Sequence, residues 1–216
     1  MTDATPSPFI AIEHVSKAFA GVQALSDVGF QIGAGEAVCL AGENGSGKST
    51  LIKLLAGAEK PDSGRIIIDG RPYTSLNPRS SVAAGIQVIF QDFSLFPNLS
   101  VAENIAFSAQ LTAGRKLVHK ADIRRTAKAV LERVGVSINL DARVESLAVA
   151  DKQLVAICRA LVSQARLIIM DEPTTALTDR EVRSLLEIIR RLKADGVAVL
   201  FISHKLAEIF EVCEKI

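Results

Sequence analysis

The chain has 216 residues, enough for one sizeable domain with a real core. Its 25 Lys and Arg against 24 Asp and Glu leave a formal net charge of +1, so the overall charge gives no reason to expect nucleic acid, whose binders carry a basic excess or stripe. The three cysteines, Cys39, Cys158 and Cys213, are widely spaced with no CxxC pair, which argues against a thiolate metal site.

Residues 1–8 are polar and Pro-containing, lack the basic end and apolar stretch of a signal peptide, and read as a loose tail. Strands are expected at 9–13, 37–41, 65–69, 86–90, 167–171 and 198–203, several of them continuously apolar, as in strands covered on both faces. Helical patterns lie between them. One follows a Gly-rich turn at 48–56. Ser100 and Glu103 can form a capping box for a helix through Phe107. Thr178 and Glu181 can do the same for a helix to 194, which lines up Val182, Leu185, Leu186, Ile189 and Leu192 on one face. The alternation predicts an α/β fold with a largely parallel sheet. Residues 100–164 hold no convincing strand and read as an inserted helical subdomain. The expected division is therefore a tail at 1–8, core at 9–99, helical subdomain at 100–164 and core again at 165–216. The longest apolar runs, such as 197–202, are far too short to span a bilayer, so the isolated chain is expected to be soluble.

The sharpest chemical signal is Gly42-Glu-Asn44-Gly45-Ser46-Gly47-Lys48-Ser49-Thr50, which fits GxxxxGK[ST] between an expected strand and an expected helix. Glycines permit backbone conformations that turn successive N–H groups toward an anion, and the following helix points its positive end at the same place. Lys48 adds a charge for the β- and γ-phosphates, and Ser49 offers a hydroxyl to Mg²⁺. The apolar strand 167–171 then ends in Asp171-Glu172, where Asp171 can hold the metal of a nucleotide through water and Glu172 can polarise an attacking water. Alone, an apolar strand ending in Asp-Glu is also a common way to begin a loop. Gln91 and His204 each follow an expected strand. The Gln91 amide can reach a metal or a water, and His204 can reach a γ-phosphate; taken singly, each also suits a structural role.

Phosphate loop, Gln91, Asp171-Glu172 and His204 stand in the order of an ABC-transporter ATPase, and the chain resembles that family, in particular the first ATPase half of bacterial monosaccharide importers of the ribose, xylose and galactose type. The likeness is carried by 19–25, 42–57, 90–105 (Phe90-Gln-Asp-Phe-Ser-Leu-Phe-Pro), 170–179 (Met170-Asp-Glu-Pro-Thr-Thr-Ala-Leu) and 202–210 (Ile202-Ser-His-Lys). The resemblance implies a P-loop NTPase of ABC type with an N-terminal antiparallel β part, and an ATPase using ATP and Mg²⁺. Phe19 matches the aromatic that stacks on adenine, although a core Phe is the alternative. Gln91 and its neighbours match the loop that touches the membrane subunit, 176–179 the loop that crosses to the opposite ATPase half, and His204 the switch residue at the γ-phosphate. Partners implied are integral membrane permease subunits, a second ATPase half and, indirectly, a periplasmic sugar-binding protein, with the chain peripheral at the cytoplasmic face of the inner membrane. The resembling domains also continue past the point matching Ile216, in tandem members into a second half, so the natural polypeptide is expected to continue.

One element departs from the pattern. Where the family's signature loop reads Leu-Ser-Gly-Gly-Gln, this chain has Leu147-Ala148-Val149-Ala150-Asp151. The hydroxyl is gone, two glycines have gained side chains, and a carboxylate has arrived. The departure concerns the ATP site built with this loop, not the chain's own phosphate loop. A soluble ABC ATPase of DNA repair or translation is a different class, but 91–147 shows no sustained heptads and the charge is near neutral. A regulatory module that binds nucleotide without hydrolysing it is a third class, favoured by the altered loop and opposed by Glu172 and His204.

Overall fold

The structure, a computed structural model, describes residues 8–43, 45–112 (108–112 in backbone only), 119–203 and 212–213. Among these the chain runs β1 (Ile10–Phe19), β2 (Val22–Ile32), β3 (Ala37–Leu40), α1 (Lys48–Leu55), β4 (Ser63–Ile68), β5 (Arg71–Tyr73), α2 (Pro78–Ala83), β6 (Ile86–Ile89), α3 (Val101–Thr112), α4 (Lys120–Val134), α5 (Val149–Val162), β7 (Leu167–Asp171), α6 (Asp179–Ala194) and β8 (Ala198–Ile202). The expected alternation is present, but the strands divide equally between two sheets. One is antiparallel in the order β2-β1-β4-β5, and the other is parallel in the order β3-β8-β7-β6.

Tight turns close the antiparallel sheet. Ala20-Gly21 between β1 and β2, and Asp69-Gly70 between β4 and β5, all have positive φ, as a two-residue hairpin that follows strand twist requires. Asp69 is thus a turn residue rather than the end of a strand. The sequence reading missed β2 and β5 because both are edge strands with mostly exposed residues, so little apolar alternation marks them. It also made β1 too short, since register shifts between Ile12 and Val15, with His14 at φ 53°, break the period of two.

The parallel sheet separates two apolar cores by strict alternation. Leu167 and Ile169 of β7, and Ala198, Leu200 and Ile202 of β8, join α1 and the antiparallel sheet on one side. Ile168, Met170, Val199 and Phe201 join α3, α4, α5 and α6 on the other. Burial of each such large side chain stabilises the fold by about 1.5–3 kcal/mol before entropy is counted. Both anticipated capping boxes form. Ser100 and Glu103 exchange hydrogen bonds at the start of α3, and Thr178 and Glu181 at the start of α6. A third, Asn77 with Ser80, starts α2, a helix too short for its period to be seen in the sequence. Cys39 and Cys158 are buried, and burial pushes the Cys158 thiol up to about 12, so it packs as an inert apolar group.

Candidate functional site

The turn from β3 into α1 wraps around a lysine. Lys48 Nζ donates to the carbonyl oxygens of Gly42 (2.5 Å) and Glu43 (2.6 Å) and to Ser46 Oγ (3.1 Å), which holds the ammonium at the mouth of the loop. Those acceptors are neutral, and charged phosphate oxygens compete for such a donor with bonds about twice as strong. Gly47, the N-cap of α1, has φ 91°, and a Cβ there would run into the Ala24 carbonyl and the Leu25 side chain of β2. Backbone fit, not flexibility alone, therefore demands glycine. Gly45 and Ser46 are exposed, Ser49 is exposed, and Thr50 is half-buried, the last two in the first turn of α1. Asn44 lies outside the described residues.

Asp171 is the last residue of β7, and Lys48 is close enough to act on its charge. Burial, with Glu172 beside it, pushes the Asp171 carboxyl above the usual carboxylate range, while Lys48 pulls the other way. Glu172 sits at φ 50°, its N–H donating to the Ile202 carbonyl of β8 (2.8 Å), and its Oε2 accepts from Thr175 Oγ1 (3.2 Å). β7 and β8 end level, Asp171 against Ile202. His204 comes two residues later and lies outside the described residues. Gln91 follows β6, is exposed, and shares with Asp171 and Glu172 the wall of a cavity of about 200 Å³. Phe19 ends β1 with its ring 39% exposed, which removes the core alternative, and Lys17 Nζ stands 5.2 Å from the ring centre. Phe19 shares its hairpin with Ala24 and Leu25, the residues that abut Gly47. The structure thus brings Lys48, Asp171, Glu172 and Gln91 to one end of the parallel sheet, the C-terminal ends of its strands, where α/β folds bind ligands.

A family model described as ABC transporter matches residues 25–175. The chain belongs to the ABC transporter family. It is 45% identical over 207 residues to a ribose import ATP-binding protein, RbsA, of Hahella chejuensis, covering 96% of this chain and 41% of that protein. It is 47% identical over 217 residues to the ribose import ATP-binding protein RbsA 2 of Streptomyces avermitilis, covering 100% of this chain and 43% of that one. The chain thus spans about two fifths of the length of these relatives. Among solved structures it resembles cbiO1 of Clostridium perfringens, part of the ABC transporter complex cbiONQ, with TM-score 0.83 and 27% identity over 96% of this chain and 82% of that one. An ATP-binding cassette of an ABC transporter in its ADP conformation gives TM-score 0.82 and 26% identity over 96% and 85%. The fold is the P-loop ABC fold.

As an ABC domain the chain shows two features that sequence reasoning passed over. Arg159 of α5, whose guanidinium is held below its usual range by burial, donates to the carbonyl oxygens of Phe93 (3.0 Å) and Ser94 (2.8 Å), tying that helix to the loop after Gln91. An arginine in an otherwise apolar helical run was the available signal. Gln153, one turn into α5, is 2% exposed. The departing stretch 147–151 starts that helix. Ala148 is its N-cap with no side-chain cap, Val149 is 40% exposed, and Asp151 stands in the first turn.

Among the described residues no three His, Cys, Asp or Glu side chains gather as a metal site. A divalent ion at Asp171 and Ser49 would therefore complete its shell with phosphate oxygens and water, as Mg²⁺ usually does. No helix among the described residues is long and apolar enough to cross a membrane.

Proposed function

We propose that this chain is an ATP-binding and ATP-hydrolysing domain that powers an ABC importer of a simple sugar. The observation that carries the reading is the Lys48 ammonium gathered by its own glycine-bearing loop, at the start of α1 and within reach of the Asp171 charge. Lys48 and the N–H groups opening α1 hold the β- and γ-phosphates of ATP, the substrate, and Gly42, Asn44, Gly45, Ser46, Gly47 and Thr50 complete the cradle. Phe19 stacks on adenine. Ser49, Asp171 and Gln91 are the residues that would hold Mg²⁺, which when bound neutralises charge on the phosphate oxygens. Glu172 polarises the attacking water, with Thr175 fixing one of its oxygens in place. His204 reads the γ-phosphate.

The partners are integral membrane permease subunits and a second ATPase half, with a periplasmic sugar-binding protein acting through the permease, and no nucleic acid. The place is the cytoplasmic face of the membrane. Support for a sugar comes from relatives that are ribose import ATP-binding proteins. The test is Glu172→Gln in the full-length polypeptide assembled with its membrane subunits. ATP binding is expected to persist while turnover falls by about 10²- to 10⁴-fold. Turnover near wild type would remove Glu172 from this role.

A further inference from the structure

The amide of Gln153 is enclosed in protein, and among the described residues neither its Oε1 nor its Nε2 has a hydrogen-bond partner. A buried amide left without partners is costly, and such groups in native folds are almost always satisfied by protein or ordered water. Nothing in packing requires an amide here, since a methionine fills a similar volume without the cost.

What surrounds Gln153 indicates its use. The side chain forms part of the wall of the 200 Å³ cavity that Gln91, Asp171 and Glu172 also line. It borders a second cavity of about 230 Å³, beside Asp151 and Arg180. Val149, four residues earlier and so on the same helical face, lines the first cavity too. On the adjoining loop Thr174 is 1% exposed, and its hydroxyl likewise has no partner among the described residues. A cavity of about 200 Å³ is large enough to hold water, and Gln91, Gln153, Asp171, Glu172 and Thr175 are the polar side chains on its otherwise apolar wall.

We propose that Gln153 is a positioning residue for the Gln91 and Glu172 end of the site. Its amide anchors ordered water in the cavity, and that water fixes the orientation of the Glu172 carboxylate and the Gln91 amide. Because Gln153 stands one turn after 147–151, whatever docks on that loop shifts the anchor, and catalytic geometry at this chain's own site responds. The inference rests on the ATPase reading above.

The test compares Gln153→Met and Gln153→Asn with wild type in the full-length polypeptide assembled with its membrane subunits. For Gln153→Met the expected result is an unchanged or raised Tm, ATP affinity within about twofold, an unchanged KM and a kcat lowered by about ten- to a hundredfold. Gln153→Asn, which keeps an amide on a shorter stem, recovers part of the loss. A purely structural amide would move Tm and kcat down together, and that result, or an unchanged kcat in Gln153→Met, would overturn the proposal. A wild-type assembly with no ATP turnover would overturn the ATPase reading itself, and with it this one.

Discussion

The start of α1 and the start of α5 invite comparison, because neither helix has a side-chain cap, and one follows the phosphate-loop motif while the other opens with the stretch 147–151 that departs from the family's signature. Before α1 the backbone is left-handed at Gly47, the first turn carries no acidic residue, and a lysine is drawn into the loop. Before α5 no residue from 147 to 151 has positive φ, and Asp151 adds negative charge in the first turn. The first loop is thus shaped so that only glycine fits, and its dipole and ammonium act together on an anion. The second accepts side chains without backbone strain, so Val149 and Ala150 cost the fold nothing there. Their effect is outward, where added bulk and a carboxylate meet whatever approaches. A helix N-terminus alone therefore does not make a phosphate site; local charge and room for backbone approach decide it.

The largest expected effect of this contrast is on transport. If, as proposed, a second ATPase half holds its ATP against 147–151, Lys48→Ala in the assembled transporter is expected to abolish uptake, whereas the equivalent lysine change in that half should leave much of it. Equal loss in both, measured as solute uptake into vesicles, would break the contrast by showing the altered loop fully competent. A smaller effect is on stability. Gly47→Ala forces a Cβ against the Ala24 carbonyl at a φ that side chains resist, and should destabilise the fold by about 1–3 kcal/mol in denaturant melts. Ala150→Gly, in a loop of ordinary conformation, should cost no more than about 1 kcal/mol. Similar costs for the two would mean that the first loop is no more constrained than the second.

How far the sequence revealed this arrangement depended on burial. β3, β7 up to Asp171 and β8 were legible as apolar runs, and β6 as an apolar run interrupted only by Gln87; each was placed to within a residue. β2 escaped because most of its residues are exposed, so little apolar alternation marks it. That Lys48 and Asp171 come together was legible because a strand-to-helix glycine turn and the end of an apolar parallel strand lie at the same end of such a sheet. Gln153 was not, since a glutamine inside an apolar helix looks like a surface residue until its burial is known.

The smallest expected effect concerns pH. The Asp171 carboxyl has its affinity for a proton raised by burial and by Glu172, against the pull of Lys48, so its ionised form weakens the fold at neutral pH. Asp171→Asn should therefore raise the Tm of the nucleotide-free chain at pH 7, even as it harms Mg²⁺-dependent binding. The sign follows from a folded-state pKa above the unfolded one. As pH falls through the folded value the wild-type residue takes up its proton, and the gap in Tm should close. A gap that widened toward acid would mean that Asp171 is stabilised as the anion, contrary to its surroundings.

The most direct measurement is a calorimetric titration of the chain with Mg-ATP, for wild type, Lys48→Ala and Asp151→Asn. If the loop before α1 is the chain's own phosphate site, wild type binds one nucleotide, Lys48→Ala loses about ten- to a hundredfold in affinity, and Asp151→Asn changes nothing. Unchanged affinity in Lys48→Ala, or loss in Asp151→Asn of the same size, would contradict that assignment.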